Sequence, residues 1–552
     1  MLVPILSVAR DELEGRLRTG KPFVWLKRGI DLSEAKGIND MNGVGILKEG
    51  KRFYPHPHLA SHLIGFVGVD SQGLEGVELF YDSYIKGSPR VFRGERDGRG
   101  GEMVLVDMEK NSPSRGMDVV LTIDKTIQYI TEKELQKAVS TTKAKGGLAI
   151  VMDPRTGEIL AMTNAPSFDP SAFWKYKPSI WRNRAITDSF EPGSVFKVFL
   201  LAAALVEGMV NPKSLFFCEN GIYKVADRTF HDVKRFGWLT LPQVIKYSSN
   251  IGAAKMGERL GKRGLYRYIR EFGFGAKTGI DMPGEAVGSI HPPDEWSAVS
   301  IDTISFGQGL SVTGIQLVTA MSAVANGGYL MKPFVVKKIL GKDGKAVKDF
   351  NPEVRRRVIP EETAKKVTAI LKEVTREGGT GVKAAIDGFE VAGKTGTAQK
   401  PDLLTGGYKE GGYISSFLGF VPADAPRLTI LVLLDEPEGE FYGGAIAAPV
   451  FKDIAVQVLP YLGVFPEGLD RPPLNYMAKI STEEATGEGE RYEDNTSSLT
   501  PDFSGKTIRY VLRMAREIPM EVKVIGSGRA IAQRPRPGER IAPGSEGEVV
   551  FQ

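Results

Sequence analysis

The spacing of apolar and polar residues divides the 552-residue chain into regions of different character. Residues 1–145 are charged and interrupted by glycine, with one amphipathic stretch at Ile127–Val139. Gly147–Met152 is an apolar run typical of a buried strand, and Asp153–Gly157 is a turn sequence. Glu158–Thr163 then predicts a strand that returns beside the first. Because the pattern changes here, we place a domain boundary after residue 145.

The following region, residues 146–465, predicts a domain that mixes helices and strands. Ser194–Val206 predicts a buried helix that begins after Pro192-Gly193. Short polar or glycine-rich loops separate three later strand-like runs, as in an antiparallel meander: Phe389–Ala392, Tyr413–Val421 and Leu428–Leu434. Ala447–Leu459 predicts a closing helix. Strands grouped at the ends with helices between them indicate an α+β domain.

The last part of the chain changes character twice. Residues 466–499 are predicted to form a linker, since Ser481–Asn495 holds six acidic side chains and one basic one among Gly, Ser and Thr. Residues 500–552 predict a small compact domain with a helix at Lys506–Arg516 and short strands around Val522 and Val549. The fold class is therefore α+β and multidomain.

Composition excludes several classes of protein. The chain is 42% hydrophobic and 25% charged, as expected for a globular protein. A net charge of +5 is too small to indicate a nucleic-acid partner. The single cysteine, Cys218, excludes a disulfide within the chain and a cysteine-rich zinc site. Met1–Arg10 lacks a basic leader, and Val198–Val206 is far shorter than the roughly 20 residues of a membrane helix.

Ser194 and Lys197 form the sharpest chemical candidate. Three residues apart on a helix, they lie on one face with about 5–6 Å between Cβ atoms, so a neutral lysine amine can take the serine proton. The same spacing occurs in three other places: Ser33 to Lys36, Ser83 to Lys86, and Ser140 to Lys143. Only the pair at Ser194 leads a long apolar helix that would bury the lysine stem.

Two other polar motifs follow downstream, and each is non-specific alone. Ser248-Ser249-Asn250 carries a hydroxyl and an amide two residues apart, which also suits an ordinary helix start. On a strand, Lys394 and Gly396 would share one face and Thr395 and Thr397 the other. A second Lys-Thr-Gly at Lys277–Gly279 precedes Pro283-Gly284 and is interpreted as a turn.

Together, Ser-x-x-Lys, Ser-x-Asn and Lys-Thr-Gly resemble the motif set of the penicillin-binding protein and serine β-lactamase superfamily. Further segments resemble a class B penicillin-binding protein, and they lie at Arg184–Ser194, Ser305–Gly309 and Ser416–Pro422 in the catalytic region and at Arg52–Pro55 and Gly73–Glu78 in the family's pedestal. The final segment resembles a PASTA domain at Pro501–Gly505 and Gln533–Gly538.

The resemblance implies an architecture for each region. Residues 1–145 would be a truncated dimerisation-type pedestal, and residues 146–465 a transpeptidase domain with an antiparallel sheet flanked by helices. Residues 466–499 would be an acidic linker and residues 500–552 a PASTA domain. Family members usually begin with a membrane helix, so we expect an anchor that this sequence does not show.

The resemblance also implies a mechanism without metal or cofactor. Ser194 would attack a D-Ala-D-Ala stem peptide, with Lys197 as base. Ser248 would relay a proton to the leaving amine, and Asn250 would orient Lys197 and the substrate amide. Lys394 would be the cation that lowers the pKa of Lys197. The substrate carboxylate would be held by Lys394, Thr395, Gly396 and Thr397, and the oxyanion by the backbone N–H groups of Ser194 and Thr397.

The implied role is peptidoglycan cross-linking in septal wall synthesis, or in a sporulation relative of that pathway. Expected partners are stem peptides on lipid II-derived glycan strands, β-lactam antibiotics, division-complex proteins and a glycosyltransferase. The expected location is the extracytoplasmic face of the bacterial cytoplasmic membrane.

Two alternatives stay open on the sequence. A carboxypeptidase or β-lactamase-like hydrolase would use the same Ser194 with water as acceptor, and rapid turnover of penicillin would indicate it. A non-enzymatic β-lactam sensor would be acylated but would transfer nothing. His56, His58 and His62 are spaced so that they could also bind a metal, although we interpret them as surface or packing residues.

Overall fold

The computed structural model describes the chain except for residues 1, 22, 31, 39–40, 42, 47–49, 88–92, 96–103, 107–115, 403–406, 467–497, 509–510, 512–519, 527, 542–544 and 552. Residue contacts divide the chain into two units, Met1–Pro472 and Pro473–Gln552. The predicted acidic linker lies outside the described residues except at its two ends.

The N-terminal region of the first unit is built from short elements. They are α1 (Leu2–Leu6), α2 (Arg10–Leu17), α3 (Leu32–Ile38), α4 (Ser61–Ile64), α5 (Gly76–Phe80), α6 (Asp82–Ile85), β1 (Arg93–Glu95) and β2 (Val104–Val106). Arg52 donates two hydrogen bonds, of 2.5 and 2.9 Å, to the buried carboxylate of Glu78. This ion pair joins the two segments whose sequences resemble the family's pedestal.

The rest of the first unit holds longer elements. Its strands are β3 (Asp118–Leu121), β4 (Gly146–Met152), β5 (Ile159–Ala165), β6 (Ser189–Phe190), β7 (Leu215–Phe217), β8 (Ile222–Val225), β9 (Arg228–His231), β10 (Trp238–Thr240), β11 (Val312–Thr313), β12 (Tyr329–Met331), β13 (Val336–Leu340), β14 (Ala346–Asp349), β15 (Val354–Arg357), β16 (Ala392–Pro401), β17 (Tyr408–Val421) and β18 (Leu428–Asp435). Its helices are α7 (Lys125–Thr142), α8 (Pro178–Trp181), α9 (Arg184–Thr187), α10 (Lys197–Val206), α11 (Leu241–Lys246), α12 (Asn250–Leu260), α13 (Lys262–Glu271), α14 (Ser300–Ser305), α15 (Gly314–Ala325), α16 (Glu361–Thr375) and α17 (Gly443–Tyr461).

A five-stranded antiparallel sheet of order β16-β17-β18-β4-β5 organises these elements. The predicted hairpin at residues 147–163 and the predicted meander are confirmed. The prediction of a strand at Phe389–Ala392 was wrong, because the strand begins at Ala392 and continues to Pro401. Gly388, with φ +80°, turns the chain shortly before this strand. The polar Lys-Thr-Gly-Thr sequence lies within the buried part of the strand, so the apolar pattern did not predict a strand there.

Helices cover both faces of the sheet because β4 is apolar on both sides. Leu148 and Ile150 pack into one core with α10, α15 and α16, while Ala149 and Val151 pack into another with α7 and α17. Strand side chains alternate between faces, so a continuous apolar run implies burial on both. Helix α7 therefore packs on the five-stranded sheet, although it precedes the boundary that we predicted after residue 145.

The second unit contains β19 (Ser498–Leu499), β20 (Met520–Gly526), β21 (Ala530–Arg534), β22 (Arg540–Ile541) and β23 (Ser545–Phe551). Strand β23 pairs in parallel with β20 and antiparallel with β21, which confirms the two predicted strands. Phe503, Val549 and Phe551 belong to its small core. Most of the predicted helix at Lys506–Arg516 lies outside the described residues.

Among the described residues, no helix combines the length and apolar character needed to cross a bilayer. Nor does the described part of the chain contain a group of three His, Cys, Asp or Glu side chains arranged to hold a metal ion. His62 is buried, and its Nε2 lies 2.8 Å from the carbonyl oxygen of Ile180, so it packs between elements.

Candidate active site

A sharp turn places Ser194 at the start of a helical segment. Gly193 has φ +54° and opens a 3-10 helix, Gly193–Phe196, that runs directly into α10. The N–H of Gly193 donates to the carbonyl of Gly307 at 3.0 Å, and a Cβ on Gly307 would collide with the carbonyl of Gly193. Ser194 is partly exposed, and its hydroxyl makes no hydrogen bond within the described part of the chain. It is therefore open to an incoming group.

Lys197 lies one helical turn further along and is fully buried. Its Nζ donates to the carbonyl oxygen of Ser248 at 2.7 Å, to Oδ1 of Asn250 at 2.8 Å and to Oγ of Ser248 at 3.3 Å. The loop after α11 and the first residue of α12 thus supply the lysine's partners, and Ser248 itself has the left-handed φ of +59°. The structure brings these first two motifs together.

Lys394 reaches the same hydroxyl from the opposite side. Its Nζ donates to Oγ of Ser248 at 2.9 Å and to the carbonyl oxygen of Thr395 at 3.1 Å, and its side chain is fully buried. Ser248 therefore lies between two lysine nitrogens, and all three predicted motifs converge on one point.

Strand β16 is an edge strand of the sheet and packs against the turn at Ser194. A Cβ on Gly396 would lie 2.9 Å from Cγ2 of Val195, so only glycine permits this approach. Thr395 donates to Oγ1 of Thr380 at 3.1 Å, and Oγ1 of Thr397 accepts from the N–H of Gly443 at 3.0 Å. The two threonines face the start of α17 and the glycine faces Ser194, as the alternation predicted.

Burial governs the charge of the two lysines. Removal from water lowers the pKa of Lys197 to about 7, although the negative charge of Asp232 acts to raise it. Burial, together with the positive charge of Lys197, also lowers the pKa of Lys394 well below its usual value. Two ammonium groups around one hydroxyl repel each other. Near neutral pH the pair therefore favours one charged and one neutral amine over two charged ones.

Asp232 is a site residue that the sequence reasoning missed. It follows β9 and accepts hydrogen bonds from Oγ of Ser249 at 2.6 Å, from N of Asn250 at 2.5 Å and from N of Ile251 at 3.1 Å. No motif of the chain points to it, because the contact joins residues 17 or more positions apart through the fold.

The geometry can support acyl transfer. The hydroxyl of Ser194 lies at the start of a helical segment, and the buried amine of Lys197, whose pKa is near neutral, lies one turn away. A second amine, that of Lys394, lies on the edge strand. A hydroxyl becomes a useful nucleophile when such a base can accept its proton. A sheet covered by helices on both faces, with the three motifs meeting beside its edge strand, is the arrangement that the resemblance to penicillin-binding proteins implied.

Comparison with known proteins identifies the family. Residues 147–455 match the penicillin binding protein transpeptidase domain, and residues 2–121 match the penicillin-binding protein dimerisation domain. The chain belongs to the penicillin-binding protein transpeptidase family, and its N-terminal region is a dimerisation domain of that family.

Individual relatives are similar along most of their length. The chain is 37% identical to stage V sporulation protein D of Bacillus subtilis, over 94% of this chain and 78% of that protein. It is 35% identical to peptidoglycan D,D-transpeptidase FtsI of Escherichia coli, over 88% and 80%. Penicillin binding protein 3 of Mycobacterium tuberculosis, solved in complex with ampicillin, superposes with a TM-score of 0.68 at 32% identity, covering 77% of this chain and 92% of that one.

Proposed function

We propose that the chain is a peptidoglycan D,D-transpeptidase that cross-links stem peptides through an ester on Ser194. Lys197 lies one helical turn from Ser194 and converges with Lys394 on the hydroxyl of Ser248, and this convergence carries the proposal. The family assignment and the names of the relatives support the reaction class.

In the first step, the neutral amine of Lys197 takes the proton of Ser194 while Oγ attacks the carbonyl carbon of the penultimate D-Ala. Backbone N–H groups of Ser194 and Thr397 stabilise the oxyanion, where a lost donor typically costs about 2.7–4 kcal/mol. The proton then passes through the hydroxyl of Ser248 to the leaving nitrogen. The C–N bond breaks, and D-Ala departs as a neutral amine.

In the second step, an amine from a neighbouring strand attacks the ester. Its nitrogen loses a proton through the same lysine and serine, the C–O bond to Ser194 breaks, and Oγ recovers a proton. The new amide joins the two peptides. Asn250 holds Lys197 in line during both steps, since its Oδ1 accepts from that lysine at 2.8 Å.

The substrate decides which lysine carries the proton. In the unliganded site the nearby carboxylate of Asp232 favours the proton on Lys197. A substrate carboxylate held by Lys394, Thr395, Gly396 and Thr397 favours it on Lys394 instead. Binding would thus discharge Lys197 and prepare it as the base, which reconciles the geometry with the prediction that Lys394 is the cation.

A β-lactam would acylate Ser194 in the same way, with the lactam nitrogen as leaving group that stays attached. A relative solved in separate complexes with ampicillin and with aztreonam supports this expectation. We further propose a septal or sporulation role at the extracytoplasmic membrane face, with division proteins and a glycosyltransferase as partners, as the family resemblance implies. The name of the sporulation relative supports the second of these roles. The domain boundaries and a PASTA-type last unit are part of the same proposal.

Labelling with a fluorescent penicillin followed by peptide mapping tests the nucleophile. We expect one labelled residue, Ser194, and no label in Ser194→Ala. Ser140→Ala is the matched control, because Ser140 also precedes a lysine by three residues but is exposed on α7. Labelling elsewhere, or retained labelling in Ser194→Ala, would refute the assignment.

A stem-peptide mimic offered with a D-amino acid acceptor tests the reaction. Transfer to the amine with release of D-Ala supports the proposal. Hydrolysis alone would indicate the carboxypeptidase alternative, and stable acylation without turnover would indicate a sensor.

A further inference from the structure

The carboxylate of Asp232 faces the base of the proposed reaction from outside the three motifs. Asp232 lies just beyond the β8–β9 hairpin, where its N–H donates to the carbonyl of Gly221 at 3.2 Å. Its two oxygens accept three hydrogen bonds from consecutive residues, Ser249, Asn250 and Ile251, at 2.6, 2.5 and 3.1 Å. A carboxylate from a distant segment therefore caps α12.

Capping of this kind fixes the orientation of the first residues of α12. The first N–H groups of a helix have no partner within it, and a carboxylate at this end also complements the helix dipole. Ser249 satisfies one such group through its own hydroxyl, which accepts from the N–H of Gly252 at 2.9 Å. Asp232 satisfies two more and holds Ser249 as well, so the start of α12 is held from outside.

The amide of Asn250 is then held at both of its ends. Its Nδ2 donates to the carbonyl of His231 at 3.1 Å, and its Oδ1 accepts from Lys197 at 2.8 Å. His231 and Asp232 are adjacent, so one short stretch of chain sets both the backbone and the side chain of Asn250. This leaves Oδ1 directed at the lysine.

The charged and titratable groups that act on Lys197 come from three segments. They are Lys394 on β16, Cys218 after β7, and Asp232 after β9. Burial raises the pKa of the Cys218 thiol, and the charge of Asp232 acts to raise the pKa of Lys197. The charge of Asp232 thus opposes the effect of burial on the lysine.

We propose that Asp232 is a positioning residue of this site, which aligns Asn250 with Lys197 and places a negative charge near the base. The inference rests on the proposed function, because it assigns Lys197 the role of proton acceptor. It adds a residue that none of the three motifs contains.

The rate of acylation by a fluorescent penicillin, measured against pH, tests the proposal. In Asp232→Asn we expect an acylation rate about 10²-fold lower, since a displacement of a catalytic group such as Lys197 by about 1 Å has that effect. We also expect the acid limb of the profile to move to lower pH, because loss of the anion lowers the pKa of Lys197. Asp232→Glu keeps the charge, so its limb should stay near that of the wild type with a smaller loss of rate.

Asp227→Asn is the matched control, since it removes the same charge from an exposed position in the turn of the same hairpin. Its rate and limb should equal those of the wild type. Should Asp232→Asn fail to fold, Asp232→Ser, whose hydroxyl can still cap a backbone N–H, carries the same expectation. If the acid limb of the rate profile lies at the same pH in Asp232→Asn as in the wild type, the proposal is overturned, because removal of a purely structural carboxylate would leave that pH unchanged. Absence of labelling in the wild type at every pH would instead refute the proposed function.

Discussion

The triplet Lys-Thr-Gly occurs twice in this chain, and the two copies lie in opposite environments. Lys394 is fully buried on β16 and donates to Ser248, whereas Lys277 is exposed in an irregular loop after α13. Thr278 and Gly279 both donate to the carboxylate of Glu285, and Gly279 has φ +75°. The second copy is therefore a loop anchored by a glutamate.

The comparison shows that the residue types alone do not make the site. Both triplets offer an amine, a hydroxyl and a flexible backbone. Only Lys394 lies on an extended edge strand next to a helix start, where burial can lower the pKa of the amine. Substitution of equivalent positions in the two copies separates chemistry from local stability.

Substitution of the two lysines should give the largest difference in the rate of acylation. Lys394→Ala should lower the rate of penicillin acylation by at least about 10²-fold, since it removes a donor next to the reacting centre. Lys277→Ala should leave the rate unchanged, because Lys277 is exposed and makes no contact with the site. Stopped-flow acylation kinetics measure both, with thermal unfolding as the check on the fold. Equal effects would contradict the comparison.

The two glycines should fail in different ways. In Gly396→Ala, the new methyl group would press on Val195 and on Oγ of Ser416, so the strand must shift from Ser194 and acylation should fall by about 10²-fold. In Gly279→Ala, a left-handed φ costs about 1–3 kcal/mol of unfolding free energy. Its acylation rate should be normal. A large kinetic defect in Gly279→Ala would show that the loop influences the site.

The pH profile sharpens the electrostatic part of the comparison. Only a neutral Lys197 can accept a proton, so the acylation rate should rise with pH and fall about tenfold per unit on the acid side. The midpoint should lie below the value of about 7 that Lys197 has in the unliganded site, because a cationic Lys394 in the complex lowers the pKa of Lys197 further. If Lys394 is the cation in the complex, Lys394→Ala removes a repelling charge, raises the pKa of Lys197 and moves this limb to higher pH. Lys277→Ala should not move it, and an unmoved limb in Lys394→Ala would make Lys197 the charged partner.

The two threonines should give the smallest effects. Thr278→Val removes a 2.5 Å hydrogen bond to Glu285 and should lower the free energy of unfolding by about 1–3 kcal/mol, with acylation unaffected. Thr395→Val removes a hydroxyl next to Lys394 and should weaken binding of a carboxylate-bearing β-lactam only severalfold. Chemical denaturation and titration of acylation against ligand concentration measure the two effects. A loss of stability only in Thr395→Val would reverse the assignment.

Local pattern was enough for the parts of the fold that neighbouring residues determine. The strands around residues 147–163 and the helix that begins near Ser194 were predicted, because apolar spacing reports burial directly. The start of β16 was misplaced, since a strand that carries Lys394, Thr395 and Thr397 does not look buried. Helix α7 was assigned to the pedestal because nothing in its own pattern names the sheet on which it packs.

By itself, the sequence determined which groups are available: a serine before a helix, two lysines, an asparagine and a glycine, in an order that resembles one family. The tertiary structure decided how those groups behave. It buried Lys197 and Lys394 around one hydroxyl, where loss of water lowers their pKa values, and it brought Asp232 to the start of α12. Burial and charge act through space between segments that are far apart in the chain, so only the folded molecule turns the motifs into a site.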